Sequence, residues 1–128
     1  MSHFTAVQTT IKQIEALRIA CRELGLDLIQ DGQARGYRGR MIHADYVIQC
    51  KGPYDVALNK QPDGQYALIT DWYAGHVAKE IGQDGGKLIQ TYGVALATME
   101  ARKLGYSVTR RSMPDGSVKV VLTQTTGV

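Results

Sequence analysis

The stretch Ile42-His43-Ala44-Asp45-Tyr46-Val47-Ile48-Gln49-Cys50 decides the fold. Ile42, Ala44, Tyr46, Ile48 and Cys50 alternate with His43, Asp45, Val47 and Gln49, the period-two pattern of a strand with one face buried. Such a strand needs neighbours and a covering layer. Gly52-Pro53 ends it, and two more strands follow, Val56 to Asn59 and Gln65 to Trp72. They are joined by Gln61-Pro62-Asp63-Gly64, where Pro fixes φ, Asp bonds its own backbone and Gly takes positive φ. Met113-Pro114-Asp115-Gly116 repeats that device between Tyr106 to Arg111 and Val118 to Thr123. Upstream, Leu26 to Gln30 reads as a strand and Phe4 to Thr9 as a short opening one.

Two helices supply the cover. In the first, Ile11, Ile14, Leu17, Cys21 and Leu24 recur at helical spacing, with Thr10 and Gln13 as a capping box. The second runs from Lys87 to Leu104, with Leu88, Tyr92, Ala95, Leu96 and Met99 on one face. Gly93 inside it costs about 1 kcal/mol relative to Ala, and Arg102 and Lys103 suit the dipole of its last turn. Gly25 and Gly105 end the two helices in matched fashion and are expected at positive φ. Tyr73 to Gly86 reads as loop, with room for one helical turn at Val77 to Ile81. The order β-α-β-β-β-β-α-β-β predicts an α+β fold, a two-layer sandwich with one mainly antiparallel sheet and two main helices on one face, as a single domain over 1–128.

Composition agrees. Hydrophobic residues make up 44% and charged residues 21% of 128, globular values that argue against disorder. A net charge of +3 is milder than nucleic-acid binding normally requires. No apolar run is long enough to span a membrane, and Met1-Ser2-His3-Phe4 lacks the features of a signal peptide. Cys21 and Cys50 fall among apolar neighbours and read as two buried thiols in a reducing compartment, a cytoplasm or an equivalent stroma, with a disulfide between them as the alternative.

Candidate chemistry is sparse. Ala34-Arg35-Gly36-Tyr37-Arg38-Gly39-Arg40 packs three arginines, two glycines and a tyrosine into seven residues, the make-up of a contact surface. The three arginines are expected to be exposed, or paired with carboxylates such as Asp31 or Asp45, and dispensable for stability. Arg35-Gly36-Tyr37 matches the opening of the aromatic motif of RNA-recognition domains, but Arg38 and Gly39 break it. Trp72 and Tyr73 end a strand as an aromatic ledge. His43 and Asp45 share a strand face without a nucleophile, and Gly82 to Lys87 departs from a phosphate-binding loop because Leu88 replaces the hydroxyl residue. No Cys or His spacing suits a metal, and no cofactor is expected.

Met1-Ser2-His3-Phe4-Thr5, Ile11-Lys12 to Leu17, Leu24-Gly25, Arg35 to Gly39 and Ala44-Asp45-Tyr46-Val47-Ile48 fit one known pattern. So do Tyr54-Asp55-Val56, Asp71-Trp72, Tyr92-Gly93-Val94, Asp115 to Val118 and Val121-Leu122. Together they resemble the plastid and cyanobacterial hypothetical-reading-frame family ycf thirty-five, also known as domain of unknown function twelve-fifty-seven. The pattern departs at Gly75 to Gly86 and at Thr125-Thr126-Gly127-Val128. The resemblance carries no catalytic residues. It implies a housekeeping or assembly role and an accessory subunit, with AAA-type ATPases and ferredoxin-like proteins as candidate partners.

The expectation is a non-catalytic accessory or assembly module that binds a protein partner through Arg35, Tyr37, Arg38, Arg40, Trp72 and Tyr73. Two alternatives stand beside it. One is RNA binding by the same arginines with Tyr37, and the other is a ligand pocket or enzyme site around Trp72, Tyr73 and the glycine-rich loop. Homo-oligomerisation stays open.

Overall fold

The computed structural model describes residues 3–124; Met1, Ser2 and the Thr125 to Val128 stretch lie outside the described residues. Among the described residues the chain forms β1 (Phe4–Gln8), α1 (Ile14–Glu23), β2 (Asp27–Arg35), β3 (Met41–Gln49), β4 (Val56–Lys60), β5 (Tyr66–Asp71), α2 (Ala78–Ile81), α3 (Gly86–Lys103), β6 (Tyr106–Ser112) and β7 (Val118–Gln124). The first five strands make one antiparallel sheet in the order β1-β5-β4-β3-β2. Ile48, Val56, Leu58 and Leu68 on one face meet Leu17, Ala20, Leu88 and Tyr92 from the helices, which forms the main core. The fold is therefore α+β, but the alternation of Ile42 to Cys50 keeps one face only from Tyr46 to Cys50: Ile42 and Ala44 join Val47 on the opposite face, because the alternation flips at Asp45. The C-terminal hairpin differs from expectation. β6 and β7 pair only with each other and lie against α3, and Arg110 reaches Glu23 of α1 at 3.0 Å.

Local chemistry corrects several boundaries. No capping box forms at Thr10 and Gln13, because α1 begins at Ile14 and the Gln13 side chain makes no cap bond. The Tyr92 hydroxyl on α3 accepts hydrogen bonds from the Lys12 and Gln13 N–H groups at 3.0 and 3.1 Å, satisfying donors that a helix start leaves over. Thr9 Oγ1 accepts from Ile11 N and donates to the Tyr66 carbonyl. A helix start is thus capped by tertiary contact, which no local pattern announces. Gly25 (φ 73°) and Gly105 (φ 88°) do take the left-handed region after their helices, and Val77 to Ile81 does hold a short helix.

The largest departure concerns β2, which continues past Gln30 to Arg35. Asp31 sits at φ 57°, and it and Asp45 drop out of an otherwise constant β2–β3 register. The side-chain alternation flips there: a Cβ on Gly32 would lie 3.6 Å from both Ile29 and Val47. Beyond this bend the ribbon folds across the second face of the sheet. Ala34, Ala44, Val47 and Ala57 form a small second core there, joined by Ile42 and Ile69. Gly36 lies directly against the Phe4 ring, and an added Cβ would come within 2.4 Å of it.

Arg35 and Asp55 lock the crossing. The Asp55 Oδ2 atom accepts from Arg35 N (3.0 Å) and Nε (2.8 Å), and Oδ1 accepts from Arg35 Nη2 (2.8 Å) and Cys50 N (3.0 Å). Arg35 Nη2 also donates to the Cys50 and Gly52 carbonyls. Asp55 N returns a bond to Arg35 O at 2.9 Å, and Thr70 Oγ1 donates to Asp55 O at 2.7 Å. The carboxylate is 3% exposed and the guanidinium side chain 43% exposed. Arg35 is therefore paired, but with Asp55 rather than with Asp31 or Asp45. Burial alone would push the Asp55 carboxyl up; the hydrogen bonds from Arg35 and Cys50, with the guanidinium charge, outweigh it and hold it below the usual carboxylate value.

Arg35→Gln should cost about 3 kcal/mol in urea unfolding, because Asp55 remains buried without its counter-charge. Arg38→Gln, in the same segment, should stay within about 0.5 kcal/mol. Equal costs for the two would refute this division. The depressed Asp55 value also sets an acid limb. Its contribution is fully present above the unfolded carboxyl value of about 3.9 and fades as pH falls through the folded one; Asp55→Asn should flatten the limb in pH-dependent melting. Cys21 and Cys50 are free and buried, and burial pushes both thiols up to about 12. Thiol reagents should label them only after denaturation, and rapid native labelling would show that the core is open.

Candidate functional site

Two tight turns meet at one buried carboxylate. The first follows β2: Tyr37–Gly39 forms a 3-10 turn, closed by Gly36 N donating to Arg40 O at 2.7 Å and Arg40 N to Tyr37 O at 3.2 Å. The second follows β5, a 3-10 turn at Tyr73–Gly75. Asp71, at the end of β5 and 1% exposed, binds both. Its Oδ2 accepts from Tyr37 N at 3.3 Å and its Oδ1 from Tyr73 N at 3.0 Å. One side chain thus holds two turns, one of which begins 34 positions before it in the chain.

Above that carboxylate the side chains make a mixed aromatic and cationic surface. The Tyr37 and Tyr73 rings pack with centroids 4.9 Å apart and planes tilted by 43°. The Arg38 guanidinium lies 5.4 Å from the Tyr37 ring centroid, within cation–π range. Tyr73 is 48% exposed, and Trp72 beside it packs partly into the core. Arg38 and Arg40 are exposed and have no ion-pair partner among the described residues. Beneath the turns Tyr54 packs edge-on against His76, with centroids 5.1 Å apart. Burial pushes the Tyr54 phenol up, and the Asp71 carboxylate and the Tyr37 and Tyr73 phenols add to that.

The backbone at these turns is strained. Arg38 adopts φ 56°, ψ 40°, and Ala74 adopts φ 58°, ψ 12°. A left-handed conformation costs a residue with a Cβ on the order of 1–3 kcal/mol and persists only where surrounding contacts impose it. Both strained residues directly follow the two packed tyrosines. Only two others with a side chain are at positive φ among the described residues, Asp31 and Asp84.

The structure thus joins Tyr37, Arg38 and Arg40 with Trp72 and Tyr73, and commits Arg35 to Asp55. Other candidates fall apart. His43 Nε2 lies 2.6 Å from Asp31 Oδ1 on the exposed ribbon, while Asp45 accepts from Lys60 N and offers its own N–H to Asn59. Each is therefore committed to a separate contact between strands. Gly82 to Lys87 forms a tight entry to α3, where a Cβ on Gly82 would come within 2.6 Å of Lys87 N. Among the described residues no three His, Cys, Asp or Glu side chains group as a metal would require, and no helix is long and apolar enough to cross a membrane. Sequence reasoning passed over Asp55 and Asp71 as functional supports. The available signal was an acidic residue abutting each apolar strand, Asp55 before Val56 and Asp71 after Thr70.

A family model described as "Protein of unknown function (DUF1257)" matches residues 20–121. "Uncharacterized protein ycf35" of Guillardia theta is 23% identical to this chain over 124 residues, which cover 95% of this chain and 96% of that protein. The protein of the same name from Pyropia yezoensis is 26% identical over 124 residues, with the same shares covered. No solved structure matches. The matched span runs from within α1 into β7 and includes Arg35, Asp55, Asp71 and both turns, so the chain belongs to the DUF1257 family.

Proposed function

We propose that the chain is a non-catalytic accessory or assembly module that docks an acidic protein partner on the paired turns. The surface is made of Tyr37, Arg38, Arg40, Trp72 and Tyr73. One observation carries this reading: the Asp71 carboxylate holds both turns in a strained geometry that packs Tyr37 against Tyr73 at a tilt and sets Arg38 over the Tyr37 ring. Rigid aromatic side chains with an adjoining arginine are what interface centres are built from, since they offer large contact area at low entropic cost. Arg38 and Arg40 add an unpaired positive field that favours acidic partners and speeds their encounter. Two free, buried thiols support a reducing compartment, a cytoplasm or plastid stroma.

Strain separates function from stability here. Arg38→Gly removes the left-handed penalty and should raise stability by a few tenths to about 1 kcal/mol, yet it should reduce partner capture. The measurement is affinity capture from the native host with crosslinking and mass spectrometry. Full-length wild type is compared with Arg38→Gly and with the triple variant Arg38→Glu/Arg40→Glu/Tyr73→Ser. Both variants should lose the same acidic partner at least tenfold, Arg38→Gly while melting no lower than wild type and the triple variant while remaining folded. Undiminished capture by the folded triple variant would overturn the reading.

A further inference from the structure

A second surface lies at the other end of β2. This strand is the last in the sheet order, so the outward N–H and C=O groups of its alternate residues are unpaired by any strand among the described residues. Alongside it runs a groove of about 280 Å³ lined by Arg18 and Arg22 of α1 and by Leu26, Asp27, Leu28 and Ile29. Ile29 is a large apolar residue left 38% exposed. The Arg18 and Arg22 side chains make no hydrogen bond or ion pair among the described residues. They stand one helical turn apart on the exposed side of α1, an arrangement that is mildly unfavourable by itself because like charges at this spacing repel.

We infer that this edge receives a short acidic segment of a partner protein, added as an extra strand beside Asp27–Gln30. The geometry specifies its pattern. Leu28 pairs with Ile48 on the helix-covered face, whereas Ile29 pairs with Val47 on the opposite face. A strand added next to β2 therefore places alternate side chains under α1, beside Arg18 and Arg22, where carboxylates fit. The intervening side chains fall beside Ile29, where apolar groups fit. Asp27 offsets part of the positive charge and disfavours a carboxylate at its own end of the groove. The left-handed backbone at Asp31 ends the flat edge. Four residues therefore remain for pairing, about 14 Å at the usual strand rise of about 3.4 Å per residue. Main-chain pairing supplies affinity in such strand additions and the alternate side chains supply specificity.

The test uses the full isotope-labelled chain and a capped peptide of three Glu-Val repeats, followed by amide chemical shifts. The controls are a Lys-Val peptide and a Glu-Val peptide methylated on alternate backbone nitrogens. Glu-Val should shift residues 26–30 with Arg18 and Arg22, and should bind at least tenfold more tightly than either control. Arg18→Gln/Arg22→Gln should weaken it at least tenfold while leaving the Tyr37 and Tyr73 resonances in place. The proposal is overturned by no shift at millimolar peptide, by equal binding of the lysine peptide, or by full binding to the double variant. Shifts centred on Tyr37 and Tyr73 would assign acidic recognition to the paired turns alone. Concentration-dependent shifts of 27–30 without peptide would assign the edge to a second copy of the chain; either result also overturns it.

Discussion

The Asp55 carboxylate is the point from which the rest of the architecture follows. It accepts four hydrogen bonds, from three groups of Arg35 and from Cys50 N, at a position almost shut off from water. A carboxylate so placed is tolerable only because every bond to it comes from a fixed donor and one donor carries positive charge. The donors belong to the end of β2 and the residue after β3, and the acceptor to the residue before β4. One side chain therefore decides where the long β2–β3 ribbon comes to rest on the sheet. Thr70 reaches the same residue from β5 through the Asp55 carbonyl, which ties the fourth strand into the junction.

From that lock the second face of the sheet acquires its cover. The residues under the folded ribbon are small, Ala34, Ala44 and Ala57, with Val47 the largest fully buried among them. Close approach of two backbone layers requires small side chains, and Gly36 against the Phe4 ring is the extreme case. An apolar core of this size contributes little by burial alone, so the polar junction fixes the ribbon and the small core follows its contour. The main core on the other face is of the opposite kind, with Leu17, Ile48, Leu58, Leu68 and Leu88 filling the space between sheet and helices.

These two kinds of packing explain what the sequence disclosed. The existence of the strand from Ile42 to Cys50, both major helices, their glycine caps and the two Pro-Asp-Gly turns were legible because each rests on short-range periodicity or backbone chemistry; the face taken by Ile42 and Ala44 was not, because the flip at Asp45 sets it. The capping of α1 by Tyr92 was not, because its partner lies 80 positions away. Nor was the reach of β2: Asp31, Gly32 and Gln33 read as an interruption, and the strand continues only because β3 pairs with it beyond the bend. The Arg-Gly segment was visible as unusual chemistry and its arginines were grouped together. Their division into one structural and two exposed residues depended on Asp55, which sits twenty positions downstream of Arg35. Meeting of the Tyr37 and Tyr73 turns was hidden for the same reason, since only the folded ribbon carries one to the other.

Asp31 connects these observations. Its left-handed backbone breaks the flat edge of β2 after four residues and turns the remaining ribbon toward the second face. The first effect limits how much of the edge can pair with another strand, a limit that also guards against open-ended association between copies. The second delivers Arg35 to Asp55, Gly36 to Phe4 and Tyr37 to Asp71. The cationic edge beside α1 and the aromatic turn over Asp71 are thus two ends of one strand, separated by a single bend. The bend lies outside the main core, and beyond it Asp55 fixes the distal ribbon through Arg35, so the two ends of the strand are held by different contacts.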